Sequence, residues 1–201
     1  TCNGVEVTVV DLPGIYGLTA YSLDERIARD FLLNSKPDLA VVVLDSTNLE
    51  RNLYLALQLL ELGMPVVLDL NVMDEVARKG LEIDTATLSQ VLATPVVATV
   101  ATRGEGIEDL KRAIVSAGEE RKPVKFQLDY GPPIEESIGQ VQEALQRSVA
   151  LNGYPSRWVA IKLLEGDPEV RRWLEGKAGW EQVKGTLLAA ITRLEGNVEE
   201  G

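Results

Sequence analysis

Three short segments carry side chains whose type and spacing could do chemistry. The first is Asp11-Leu12-Pro13-Gly14, directly after a Val-rich stretch. An aspartate at the end of a strand can hold a magnesium ion through water, and a glycine amide, with no Cβ in the way, can approach a terminal phosphate. Taken alone, the tetrapeptide reads first as the Pro-Gly turn that ends many strands. The second segment is Asn71-Val72-Met73-Asp74. The carboxylate of Asp74 could accept two hydrogen bonds from N1–H and the exocyclic amine of guanine, a donor pair that adenine lacks, while Asn71 braces the neighbouring loops. Asn and Asp are also common helix caps. The third is Ala101-Thr102-Arg103-Gly104-Glu105-Gly106, whose backbone amides could bind the guanine O6 or form an ordinary Gly-rich connector.

The elements around these segments place them on one edge. Val5, Val7, Val9 and Val10 predict a strand, with Asn3-Gly4 before it as a two-residue hairpin turn. Ser22 and Glu25 form a capping box for a helix whose apolar stripe is Leu23, Ile27, Phe31 and Ala28, with Pro37 as the break. Residues 39–44 predict a strand buried on both faces. A helix over 49–62 ending at Gly63, a strand over 65–70, a helix over 84–92, a strand over 96–100 and a helix over 107–117 come next. Strands alternating with helices predict a parallel, three-layer α/β sheet, with all three segments at its carboxyl edge, where such sheets bind ligands. Composition shifts near residues 119–123. A short strand over 124–128 is then expected, with Gly131-Pro132-Pro133 as turn and helix start. Helices are expected over 134–149, 157–164, 168–174 and 180–194, all three tryptophans serving as core anchors. The expected domains are 1–120 and 121–201.

Composition narrows the function. With 45% hydrophobic residues, the 201-residue chain can build a real core. A net charge of −11 argues against nucleic acid as a partner and against docking on anionic lipid by charge. Histidine is absent, which excludes a His-ligated metal or a histidine base. The single Cys2 cannot form an internal disulfide, in keeping with a reducing compartment. No apolar run approaches the roughly 18 residues of a membrane span. No iron site is expected, for want of a cysteine cluster or histidine.

Beyond the short motifs, Asp-Leu-Pro-Gly followed by Tyr16 and by Leu18-Thr19-Ala20-Tyr21-Ser22-Leu23-Asp24-Glu25-Arg26-Ile27-Ala28-Arg29-Asp30 resembles the second switch region of FeoB-type ferrous iron transporters. The likeness continues through Asn-Val-Met-Asp and Arg-Gly-Glu-Gly-Ile. It extends to Pro132-Pro133-Ile134-Glu135, Tyr154-Pro155-Ser156-Arg157-Trp158 and Lys162-Leu163-Leu164-Glu165-Gly166-Asp167, which resemble the family's helical, GDP-favouring domain. The resemblance implies a Ras-like GTPase fold followed by that helical domain, on the cytoplasmic side of the bacterial inner membrane. It implies GTP or GDP with Mg²⁺ as ligands, a monovalent cation, a membrane-embedded iron-transport domain in the same polypeptide, and homo-oligomers. Implied nucleotide contacts are Asp11 (holding magnesium through water), Gly14, Asn71, Met73, Asp74, Ala101 and Thr102; Leu12, Pro13, Ile15 and Tyr16 would belong to the moving switch.

Three departures qualify the resemblance. No G-x-x-x-x-G-K-[ST] is present, and Gly176-Lys177 is followed by Ala178. Missing sequence upstream of Thr1 is therefore expected, and the chain by itself should bind nucleotide weakly and not hydrolyse it. Ile15 stands where many GTPases place a water-orienting glutamine, and Val100 where the last guanine loop usually has serine. The alternatives are a non-hydrolysing scaffold derived from such a module and, less favoured by the acidic balance, a GTPase acting on ribosomes or tRNA.

Overall fold

The computed structural model describes residues 2, 4–18, 22–120 and 124–199, with side chains through 196. Asn3, Thr19, Ala20, Tyr21 and the composition shift at 121–123 lie outside the described residues. The chain divides into two compact units, Thr1–Gln127 and Leu128–Gly201.

In the first unit, α1 (Leu23–Ser35), β1 (Ala40–Asp45), α2 (Leu49–Glu61), β2 (Val66–Asn71), α3 (Met73–Arg78), α4 (Thr85–Leu92), β3 (Val96–Ala98) and α5 (Ile107–Glu120) succeed one another. The three strands form a parallel sheet in the order β1-β2-β3, as the alternation of strands and helices predicts. Register pairs Ala40 with Val66 and Leu68 with Val96, so the carboxyl ends of the strands lie together. β2 is the central strand: Val66, Val67, Leu68 and Leu70 are buried, as an apolar run covered on both faces should be. α2 packs on β1 and β2, and α5 on β2 and β3.

Four expectations are corrected by the structure. Residues 6–15 form no strand; Cys2 and Val5 exchange both backbone hydrogen bonds around the turn, but Val9 is 84% exposed. β-Branched residues make a strand only where a neighbour takes up the backbone groups, and no described segment pairs with this one. β1 is not buried on both faces: Val42 and Leu44 are buried, whereas Val43 is 61% exposed because no described element covers that side. The capping box of α1 forms as expected, Glu25 N donating to Ser22 Oγ at 3.0 Å. Yet the helix docks through Ala28, Arg29 and Leu32, so the row through Leu23 and Ile27 faces outward. Residues 124–128 form no strand either; the Leu128 carbonyl is held instead by Arg157 Nη2 at 2.9 Å.

The second unit is helical: α6 (Pro132–Ser148), α7 (Ser156–Leu164), α8 (Pro168–Glu175) and α9 (Trp180–Glu199). α6 packs against α7 and α9. Trp158 and Trp180 are buried in its core, and Trp173 is half-buried beneath Lys177, whose Nζ lies 4.5 Å from the ring centre. Arg157 clamps Glu135 with both guanidinium nitrogens, at 2.8 and 2.7 Å, tying α7 to the first turn of α6. Gly179 lets the chain pass the end of α6: a Cβ there would fall 1.9 Å from the Ser148 carbonyl oxygen.

Candidate functional site

The site is built where β2 and β3 end. Asn71 closes β2, and its Oδ1 accepts the Val72 amide at 2.8 Å and the Ala101 amide at 3.1 Å, with Thr99 Oγ1 at 3.3 Å. One side-chain oxygen therefore links the loop after β2 to the loop after β3. Thr99 Oγ1 makes its shorter bond, 2.6 Å, to Oδ1 of the buried Asp69. Burial raises the Asp69 pKa above the ordinary carboxyl value, and the Thr99 hydroxyl partly opposes that rise. The Met73 amide reaches the Thr99 carbonyl at 3.3 Å, a further tie between the two loops.

Val72 sits at φ 65°, ψ 30°, a left-handed conformation that a β-branched residue rarely adopts. Strain of this kind is of order 1–3 kcal/mol and persists only where the surroundings impose it. Here the Asn71 side chain and the start of α3 impose it, and the result puts Asp74 in the first turn of α3. Asp74 is half-buried, and its Oδ2 meets Arg103 Nη2 at 3.0 Å.

The loop after β3 opens with a turn of 3-10 helix, Ala101–Arg103. Val100 and Glu105 pair through both of their backbone hydrogen bonds, at 3.0 and 3.3 Å, fixing its base. Gly106, at φ 77°, is required for the tight return: a Cβ would fall 2.2 Å from the Ala98 carbonyl oxygen. Because Asn71 already occupies the Ala101 amide, Thr102 supplies the other amide in that first turn with no intrahelical acceptor. Thr102 is exposed.

Of the three segments singled out by sequence, the second and third come together through Asn71–Ala101, Met73–Thr99 and Asp74–Arg103. The first does not join them: Asp11 and Gly14 are exposed, and among the described residues no hydrogen bond or ion pair ties Asp11 to either loop. The chain just beyond Gly14 is anchored elsewhere. Leu18 is fully buried and its amide donates to Gln58 Oε1 of α2 at 2.5 Å, while Arg51 lies 4.0 Å from the ring centre of the exposed Tyr16. Gly17 fits because a Cβ would press on Tyr54 and Gln58, at 3.1 and 3.2 Å. Tyr16, Gly17, Glu25, Arg51 and Tyr54 line a shallow pocket there.

Several contributors escaped the sequence reading. Thr99 is read only once the two loops are known to touch, and so is the pairing of Arg103, which the third segment contained without a role, with Asp74. Asp45, the last residue of β1, and Ser46-Thr47-Asn48 just after it lie at the same carboxyl edge, so the rule that flagged the other loops could have found them. Asp45 there accepts Thr47 N, Thr47 Oγ1 and Asn48 Nδ2 at 2.9, 2.7 and 2.9 Å, and these bonds, the Asn48 one foremost, lower its pKa. Gln58 gives no sequence signal beyond a polar side chain within an apolar helix face. Among the described residues, no group of three or more His, Cys, Asp or Glu side chains could hold a metal ion, and no helix is long and apolar enough to cross a membrane.

A parallel sheet with these two loops stapled at its carboxyl edge puts the first unit among the ligand-binding α/β folds, and its likeness to solved FeoB cytosolic domains makes that fold Ras-like, followed by a helical unit. The chain belongs to the ferrous iron transport protein B family. It matches "Ferrous iron transport protein B" over residues 1–114 and "FeoB cytosolic helical domain" over residues 130–200. It is 44% identical over 192 residues to the Fe(2+) transporter FeoB of Methanocaldococcus jannaschii, covering 96% of this chain and 28% of that protein. It is 38% identical over 201 residues to that of Escherichia coli K12, with 97% and 24% covered. The chain thus spans about a quarter of the length of these relatives. Among solved structures, the cytosolic domain of the T. maritima FeoB iron transporter in GMPPNP form superposes with a TM-score of 0.76 at 34% identity, covering 95% of this chain and 78% of that one. An S. thermophilus NFeoB mutant bound to GDP gives 0.77 at 34%, with 90% and 69% covered.

Proposed function

We propose that this chain is the guanine-reading and switch portion, with its helical domain, of a GTP-binding module that regulates a ferrous iron transporter from the cytoplasmic side of the membrane. The observation that carries the reading is the convergence of Asn71, Asp74 and the 101–103 loop at one sheet edge. Asp74 reads N1–H and the amine of guanine, Thr102 and Ala101 offer amides toward O6, and Met73 lines the base. Asn71 acts on the base indirectly, by holding the two loops in register. Relatives solved with GDP and GMPPNP support nucleotide as the ligand.

Asp11 and Gly14 would face the phosphate end. Asp11 is a single exposed carboxylate, a donor set that suits Mg²⁺ held through water with its remaining ligands from phosphates. Bound there, the ion would neutralise phosphate charge. The 11–18 segment is the element that changes with the terminal phosphate, and Leu18 and Gln58 hold its far end on α2. GTP hydrolysis belongs to the whole module, because the phosphate-cradling motif does not occur in these 201 residues. The membrane-embedded iron-transport domain and further copies of the module are the proposed partners.

Calorimetric titration with GDP and GTP in magnesium tests the proposal, on this chain and on the chain joined behind a phosphate-loop segment taken from a relative. Guanine nucleotides should bind the joined protein tightly and this chain weakly. If the joined protein is folded and ignores both nucleotides, the loops are structural and the scaffold reading replaces this one.

A further inference from the structure

The Asp74 carboxylate already has a partner. Arg103 Nη2 lies 3.0 Å from Asp74 Oδ2, and the same guanidinium presents Nη1 at 3.9 Å to Glu105 Oε1. The Asp74 side chain is 20% exposed, while those of Arg103 and Glu105 are 57% and 60% exposed, so the cation has open space around it and the aspartate is the more enclosed partner. The chemistry of the contact is telling. N1–H and the C2 amine of guanine form a cyclic guanidine, a planar array of N–H donors; arginine carries the acyclic version of the same array. A carboxylate placed to read one is satisfied by the other.

We propose that Arg103 is an internal stand-in for the guanine base: it holds Asp74 while the site is empty, and moves to Glu105 when the base arrives. This rests on the reading of Asp74 as the guanine acceptor. Arg103 is then a residue that sets affinity and specificity, touching the base-reading carboxylate and not the reacting phosphate. Its presence keeps the Asp74 charge compensated in the empty state, and it lowers the apparent affinity because the pair must open before guanine binds. Glu105 eases that opening by offering a second carboxylate to the released cation. Val100 holds Glu105 in reach through the paired backbone. Adenine presents no guanidine edge, so adenine nucleotides gain nothing from displacing Arg103.

The test is an NMR titration of this chain with GDP, and with ADP as control, at millimolar concentrations, for the unaltered protein and for Arg103→Gln, Glu105→Gln, Asp74→Asn and the Arg103→Gln/Asp74→Asn pair. Arg103→Gln should tighten GDP by about two- to fivefold, the range for an ion pair with one exposed partner, and leave ADP unchanged. Glu105→Gln should weaken GDP, since Arg103 then has only Asp74 to pair with. Both GDP effects require Asp74, so Arg103→Gln should do nothing in the Asp74→Asn background. If Asp74→Asn weakens GDP but Arg103→Gln leaves it unchanged or weakens it as well, the stand-in is refuted and the guanine reading survives. If Asp74→Asn leaves GDP binding unaltered, or GDP shifts no resonance in any of the five proteins even when each is joined behind the phosphate-loop segment, the guanine reading fails and the stand-in with it.

Discussion

The side-chain oxygen of Asn71 accepts the backbone amide of Ala101 at 3.1 Å, thirty residues along the chain, and so makes two loops into one surface. Replacing Asn71 by Ala leaves the Ala101 and Val72 amides without that acceptor and removes one of the two constraints that hold Val72 in its left-handed conformation, the start of α3 remaining. The expected cost is about 1–3 kcal/mol in urea unfolding, with faster hydrogen exchange at Ala101. Unchanged exchange at Ala101 would mean the loops are held by other contacts.

Asp69 gives the sheet a pH dependence of unusual sign. Its folded pKa is raised by burial, so the unfolded chain gives up this proton first as pH climbs. Its contribution to stability is greatest below the ordinary value of 3.8 and declines as pH rises toward the raised folded value, above which the deficit is constant. Asp69→Asn should abolish this component: variant and parent should converge relative to each other at low pH and diverge in the variant's favour above 3.8, read from urea midpoints across the pH range.

The helical unit should respond in the opposite direction. The Arg157 hydrogen bonds hold the Glu135 pKa below 4.5, so the clamp contributes fully above that value and is lost as pH falls through the lower, folded one. Glu135→Gln should cost about 1 kcal/mol near neutrality, where the charge-assisted bonds are broken, and nothing at a pH where Glu135 itself is protonated. Melts of the intact chain followed by tryptophan fluorescence would register it, since Trp158, Trp173 and Trp180 all lie in this unit.

Much of the fold was legible because parallel strands buried on both faces write themselves as runs like Val66 to Leu70, and because Ser22 with Glu25, Asp84 and Gly131 punctuate helices. Two of the failures share one cause. Val5 to Val10 and residues 124–128 have strand composition, but a strand also needs a neighbour, and pairing is not encoded in the residues of one segment. Val41 and Val43 do lie in a paired strand; what their run does not encode is whether another element covers their face. For the site, type and position on the sheet edge singled out Asn71, Asp74 and Ala101. The links among them were not legible, since Thr99 to Asp69 and Arg103 to Asp74 join residues about thirty apart.

Gln58 should govern the segment just beyond Asp11-Leu12-Pro13-Gly14. Its Oε1 accepts the buried Leu18 amide, and its Nε2 is buried with no acceptor among the described residues. Only the oxygen can accept, so the orientation of the amide is set by Leu18. Gln58→Leu removes the one acceptor, and residues 11–18 should detach, with a penalty of about 1–2 kcal/mol for the stranded amide. Limited proteolysis should then cut near Tyr16 several times faster than in the parent. Equal cutting rates would show that burial of Leu18 alone secures the segment.

The most direct measurement compares GDP with xanthosine diphosphate on the chain joined to a phosphate-loop segment, before and after Asp74→Asn. Xanthine carries a carbonyl where guanine has its C2 amine, so an Asn amide at position 74 matches it while the parent carboxylate repels it. The parent should prefer GDP and the variant xanthosine diphosphate, each by at least about tenfold. A variant that keeps the parent's preference for GDP would contradict the assignment of Asp74, and with it the guanine-reading site.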